Sequence, residues 1–206
     1  TKPPGSLGRL EELARDLCLM TGQCPPPVRH AVIFTLAGDH GVVVEGVSAY
    51  PQVVTAQMVE NFLNGGAAVN VLARHVGARV VVADFGIAGP VMDRPGLQQR
   101  RVASGTANLA RGPALTRGQA LAALEAGAAL VDDERSRGLD LIGTGEMGIG
   151  NTTAASAVTA AITGLAAEVV TGRGTGVDDA TWRRKAAVVA RGLDANRPDA
   201  AAGLDV

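Results

Sequence analysis

Leu139-Asp140-Leu141-Ile142-Gly143-Thr144-Gly145-Glu146-Met147-Gly148-Ile149-Gly150-Asn151-Thr152-Thr153 is the stretch that decides the fold. Its first four residues read as a short strand that ends at Gly143, the glycines after it as a turn, and Asn151 as the start of an alanine-rich helix. Such a turn exposes amide hydrogens at the positive end of a helix, which favours a phosphate there. Two familiar loops almost fit. Gly143, Gly145 and Gly148 spell a dinucleotide fingerprint with Glu168 at ribose distance, but Gly150, Asn151 and two threonines continue its helix poorly. Residues 145–150 have the glycine spacing of a triphosphate loop, yet Asn151 stands where a lysine would neutralise the outer phosphates.

Working outward, the apolar run 31–37 reads as a buried strand, 79–84 as a second β-type run, and 167–170 as a further strand. Leu7, Leu10, Leu13, Leu17 and Met20 recur at helical spacing after the turn-rich opening Thr1 to Gly8, and that helix ends near Gly22. Helical spacing also runs over 55–75, with a break at Asn64-Gly65-Gly66. Thr116 and Gln119 fit a capping box that opens a helix through Val131, and Asp178 caps a last helix through about Leu193. Strands and helices alternate and no tight hairpin joins neighbouring strands. The expectation is an α/β, doubly wound, Rossmann-like parallel sheet with helices on both faces. A small helical part comes from residues 1–24, and the α/β substrate-binding domain covers 25–206. Ligands then sit at the carboxyl ends of the strands.

Composition narrows the partner. At 206 residues the chain is sized for one domain of roughly 150 residues and a small appendage. A net charge of −1 gives no field for nucleic acid or an anionic membrane surface, so a small molecule is the expected partner. Cys18 and Cys24 form neither a disulfide framework nor a zinc site, no signal segment opens the chain, and a cytoplasmic setting is expected. Aromatics are only 2% while Gly numbers 27, so backbone and small side chains must do much of the binding.

A second glycine loop, Thr171-Gly172-Arg173-Gly174-Thr175-Gly176, precedes the helix capped by Asp178. Lys185 lies two turns into that helix, and its side chain leans back towards the amino end, in reach of a phosphate. Two glycine loops and one lysine suggest a phosphate monoester; two plain strand-to-helix turns are the bland reading. The third cluster runs from Gly38-Asp39-His40-Gly41 to Gly46-Val47-Ser48-Ala49-Tyr50-Pro51. Asp39 beside His40 reads as an acid-base pair, or His40 as a loop imidazole bonded to backbone. His30, His40 and His75 fall on three different elements, so no metal site is expected. Ser48, Tyr50, Gln57 and Met58 could shape a pocket for a flat ring, although Met58 and Phe62 at helical spacing also suit the core.

With these motifs in hand, the chain resembles the nicotinate-nucleotide:dimethylbenzimidazole phosphoribosyltransferase family over nearly its whole length. The resemblance rests on Lys2-Pro3-Pro4-Gly5-Ser6-Leu7-Gly8, Ala37-Gly38-Asp39-His40-Gly41-Val42, residues 46–51 with Val54-Thr55-Ala56-Gln57-Met58, residues 145–153, and Gly172-Arg173-Gly174-Thr175-Gly176. It implies transfer of ribose 5-phosphate from nicotinate mononucleotide to 5,6-dimethylbenzimidazole, with inversion at the anomeric carbon, no metal or other cofactor, and a homodimer. It also implies phosphate and ribose contacts at Gly145, Gly148, Gly150, Asn151, Thr152, Gly172, Arg173, Gly174, Thr175, Gly176 and Lys185. The ring pocket then falls on Asp39, Ser48, Tyr50, Gln57 and Met58, and Glu146 is a secondary active-site carboxylate. The family's principal base sits in a Leu-Gly-Glu-Gly-Thr/Ser-Gly motif that does not occur before Val206, and the chain opens inside the first family motif. A chain shortened at both ends, with weak phosphate binding and poor catalysis by itself, is therefore expected.

Overall fold

The structure, a computed structural model, describes residues 2–204; Thr1, where the predicted opening turn begins, and Asp205 and Val206 lie outside the described residues. In chain order the elements are α1 (Arg9–Thr21), β1 (Ala31–Gly38), α2 (Val54–Leu63), α3 (Ala68–Val76), β2 (Arg79–Gly86), β3 (Leu97–Gln99), α4 (Arg117–Arg135), β4 (Leu141–Met147), α5 (Asn151–Thr163), α6 (Ala167–Val170) and α7 (Asp179–Asn196). A 3-10 turn, Gly41–Glu45, follows β1.

The strands form one sheet in the order β3-β2-β1-β4, and every pairing is parallel. Alternation along β1 and β2 shows why both faces are covered. Val32 and Phe34 of β1 pack with Val81 and Ala83 of β2 and Leu130 of α4 on one face. Ala37 and Val82 pack with Val59 and Phe62 of α2 on the other. The chain moves outward from β1 through β2 to β3 and returns to the opposite flank of β1 as β4. The crevice at the carboxyl ends of β1 and β4 is therefore the topological switch point, where such sheets bind ligands.

Helix ends follow local chemistry. The Thr116 hydroxyl accepts from the Gln119 amide at 3.2 Å, and the Gln119 side chain accepts from the Thr116 amide at 2.8 Å, which completes the capping box of α4. The predicted break at Asn64-Gly65-Gly66 separates α2 from α3, with Gly65 at φ 75°. None of the residues of α1 is buried. Asp178 caps α7 by accepting from the Thr181 amide at 2.8 Å. Asp178→Ala should cost about 1 kcal/mol, or a fall in Tm of roughly 2–4 °C for a domain this size, measured by thermal unfolding. No helix among the described residues is long and apolar enough to cross a membrane.

Three local readings need correction. Residues Ala167–Val170, expected as a strand, are the single helical turn α6. Its backbone closes on itself, Thr171 N–H donating to Ala167 C=O at 3.0 Å, and Ala167 and Val170 pack with Val189 of α7, so no strand edge is needed. The strand expected to stop at Gly143 runs on through Met147, because β1 supplies ladder partners as far as Ala37 opposite Met147. A Cβ on Gly143 would lie 3.3 Å from Ile33 Cγ1, and one on Gly145 3.3 Å from the Phe34 carbonyl, so these glycines serve close strand packing. Strand β3 had no apolar run to announce it and exists through pairing with β2, Val82 opposite Leu97.

Candidate functional site

With β4 extended, the first glycine turn shrinks to Gly148-Ile149-Gly150. Gly150, at φ 92°, is the N-cap of α5 and offers no side-chain cap. The Asn151 amide donates back to Gly148 C=O at 2.9 Å, and the Ile149 amide donates to Thr55 Oγ1 at 3.1 Å. Asn151 is half-buried and Thr152 exposed. The second loop follows α6. Gly172, Arg173, Gly174, Thr175 and Gly176 are all exposed, and Gly174 and Gly176 take φ of 57° and 91°. An L side chain is strained at those angles.

Lys185 links the first turn of α5, just after the first loop, to the second loop. It is 1% exposed, and its ammonium donates to Thr152 Oγ1 at 2.7 Å and to Gly172 C=O at 3.1 Å. No carboxylate pairs with it among the described residues. Burial pushes its pKa below the usual lysine range. A buried cation held only by neutral groups is costly, and an anion between the loops would offset that cost. Arg173 is engaged elsewhere: its guanidinium donates to Val177 C=O at 3.0 Å, pairs with Asp179, and lies 6.0 Å from the Trp182 ring centroid. Trp182 Nε1 in turn donates to Thr171 C=O at 2.8 Å, so this tryptophan holds the start of the loop.

A cavity of about 250 Å³ opens at the switch point, walled mainly by Leu36, Phe85, Val102, Leu115 and Met147. Asp39, His40, Glu146 and Asn151 bring polar groups to it. Mostly apolar walls with a few convergent polar groups suit a small flat ring. Glu146 lies opposite Leu36 in the ladder, and its carboxyl has no hydrogen-bonded protein partner among the described residues. The residue is solvent-exposed at the cavity mouth, yet the surrounding protein desolvates its carboxyl enough to raise its pKa above the ordinary glutamate range. Half-buried His40 likewise has no hydrogen bond to its imidazole among the described residues, which removes the backbone-bonded reading. Burial lowers its pKa against the opposing effect of Asp39, so the neutral ring is favoured.

Asp39 is 2% exposed, and its carboxylate braces the scaffold, accepting from Thr55 Oγ1 at 2.7 Å and the Ala88 amide at 2.8 Å. Of the residues expected around the flat ring, only Asp39 lines this cavity. Ser48 and Tyr50 lie on the loop beyond the 3-10 turn, where Ser48 Oγ accepts from the Tyr50 amide at 3.1 Å and Tyr50 is exposed. Gln57 is exposed on α2, and Met58 packs against the core cluster around Val59 and Phe62. Gly145 lies within β4, one residue before Glu146. The sequence marks Thr55 only as a member of the resemblance motif at residues 54–58, with no role of its own, and Trp182 not at all.

These features define an α/β protein with two glycine loops linked through a buried lysine and a small, mostly apolar cavity at one switch point. The family profile DBI_PRT, described as phosphoribosyltransferase, matches residues 1–206, and the chain belongs to that family. It is 55% identical over 206 residues to the nicotinate-nucleotide–dimethylbenzimidazole phosphoribosyltransferase of Geobacter sulfurreducens, covering 100% of this chain and 58% of that protein. It is 54% identical to the protein of that name from Desulforamulus reducens, again over 100% of this chain and 59% of that one. The crystal structure of CobT from Thermus thermophilus superposes with a TM-score of 0.88 at 52% identity, over 93% of this chain and 57% of that chain. The chain thus spans less than two thirds of the length of these relatives.

Proposed function

We propose that this chain carries the phosphoribosyl-binding part of an enzyme that transfers ribose 5-phosphate from nicotinate mononucleotide to 5,6-dimethylbenzimidazole, yielding α-ribazole 5′-phosphate and nicotinate. The observation that carries the reading is Lys185, a buried ammonium that has no carboxylate partner among the described residues and bonds both Thr152 on the first turn of α5 and Gly172 of the second loop. A phosphate monoester fits that environment in charge and in its demand for several donors. From there the sugar reaches the switch point. A neutral ring nitrogen of the acceptor attacks the anomeric carbon as the bond to nicotinate breaks, its electron pair passing to the pyridinium nitrogen. The acceptor's other ring nitrogen gives its proton to a carboxylate. Holding both rings on opposite faces of one ribose supplies much of the acceleration.

Glu146 is the titratable carboxyl at the mouth of the cavity and is assigned the secondary acid-base role. Because its pKa is raised, its base form accumulates only as pH climbs past the ordinary glutamate range. Turnover should rise with pH through that region, and Glu146→Gln should flatten the rise and lower the rate about 10²-fold, the low end for one proton-transfer group. An unchanged pH profile would remove Glu146 from proton transfer. The flat acceptor is assigned to the cavity lined by Asp39; Ser48, Tyr50, Gln57 and Met58, which do not line it, are assigned to the same ring pocket by the family resemblance alone. A homodimer in the cytoplasm completes the proposal. The direct test is chromatographic detection of α-ribazole phosphate after incubation of the chain with both substrates. Slow formation is expected, near-normal turnover would refute the expected weakness, and failure to bind nicotinate mononucleotide would overturn the assignment.

A further inference from the structure

Three distant parts of the chain meet at one buried hydroxyl. Thr55, 0% exposed on the first turn of α2, donates through Oγ1 to Asp39 Oδ1 at 2.7 Å and accepts from the Ile149 amide at 3.1 Å. Asp39 is itself fixed on every side. Its second oxygen accepts from the Ala88 amide at 2.8 Å, its own amide donates to Gly86 C=O at 2.9 Å, and its C=O accepts from the Thr106 amide at 2.9 Å. No Lys or Arg pairs with this carboxylate among the described residues. A hydroxyl has one proton to give. With that proton committed to a carboxylate, the Thr55 oxygen must present a lone pair to Ile149, and the negative neighbour strengthens both bonds.

We infer that Asp39 and Thr55 are positioning residues for the anion site: the carboxylate, acting through Thr55, sets the orientation of the Gly148-Ile149-Gly150 turn and of the amino end of α5. The inference rests on the reading above that this turn faces the phosphate of a ribose phosphate ester. Neither residue needs to touch that phosphate. Ile149 precedes the Gly150 cap, and Thr152, on the first turn of α5, receives the Lys185 ammonium, so a rotation of the turn would also displace the lysine's partner. One buried link therefore ties the end of β1 to both glycine loops. It gives Asp39 a role in holding phosphate geometry from within the wall of the ring cavity.

The test is calorimetric titration of the 206-residue chain with nicotinate mononucleotide and with its dephosphorylated nucleoside, alongside a melting curve for each variant. Thr55→Val keeps the shape and removes both hydrogen bonds, whereas Thr55→Ser keeps both. For Thr55→Val, affinity for the mononucleotide should fall about tenfold or more, the equivalent of about one lost buried hydrogen bond. Its affinity for the nucleoside should stay within about threefold, and Thr55→Ser should match wild type on both ligands to a similar margin, each below one such bond. Equal losses on the two ligands, or a Thr55→Val chain that keeps the wild-type preference for the phosphorylated ligand, would overturn the inference alone. Should Thr55→Val not fold, Asp39→Asn decides: a reduced phosphate preference supports the link and an unchanged one refutes it. A wild-type chain with no preference for the phosphorylated ligand would overturn the phosphate reading and this inference together.

Discussion

Lys185→Met should weaken binding of nicotinate mononucleotide by roughly 30-fold to several thousand-fold, the range expected from about 2–5 kcal/mol for truncating a buried charge partner. Binding of the dephosphorylated nucleoside should change far less. Lys185 is 1% exposed and, among the described residues, its ammonium bonds only Thr152 Oγ1 and Gly172 C=O, so its charge is uncompensated until an anion arrives. Methionine keeps the length of the side chain and removes only the head group. Isothermal titration of both ligands on both chains is the measurement, and equal losses would take the lysine out of the phosphate role.

The same lysine gives a pH signature with a fixed sign. Its pKa in the free chain is lowered by desolvation, so the unfolded chain binds that proton more tightly than the folded one. The free chain should therefore gain stability as pH rises from the lowered pKa towards the ordinary lysine range, and lose it as pH falls back. A bound phosphate works in the opposite direction by supplying the missing countercharge. Affinity for the mononucleotide should fall as pH rises through the lowered lysine pKa, and Lys185→Met should abolish that slope.

What the sequence disclosed, and what it concealed, follows from how local each signal is. Continuous branched apolar runs located β1 and β2 to within two residues of their ends, since a strand buried on both faces has little choice of composition. The place of Lys185 was equally legible. The Asp178 cap fixes the phase of α7, and a residue seven positions on returns to the same face two turns later. Residues Ala167–Val170 misled because Ala167, Val169 and Val170 around a single Glu168 suit a strand or a helical turn alike, and contact with α7 made the choice. The glycines of β4 misled for a related reason: in isolation they suggest a turn, and beside Ile33 and Phe34 they permit a close ladder. The cavity was beyond reach, because Leu36, Phe85 and Leu115 come from three separate segments whose meeting depends on sheet order. Thr55 was hidden because nothing in Val54-Thr55-Ala56 distinguishes a buried relay from an ordinary helix start.

Gly148→Ala should unfold the site, and Gly172→Ala should leave the fold intact, although both are glycine-to-alanine changes in neighbouring loops. A Cβ on Gly148 would stand 2.1 Å from the Gly38 carbonyl oxygen and 3.1 Å from His40 Nε2. The first obstacle is backbone at the end of β1, which cannot rotate away as a side chain would. The cost therefore belongs near the upper end of overpacking, about 3 kcal/mol, which lowers Tm by roughly 6–12 °C in a domain of this size. At Gly172 a Cβ meets nothing within 4 Å and the backbone is not left-handed, so stability should stay within about 0.5 kcal/mol of wild type. Gly172→Ala then isolates the ligand: if an anion approaches the loop backbone closely, the added methyl should weaken the mononucleotide without moving Tm. Equal mononucleotide affinity in Gly172→Ala and wild type would mean that the anion keeps its distance from this loop, leaving Lys185 and the α5 end to hold it.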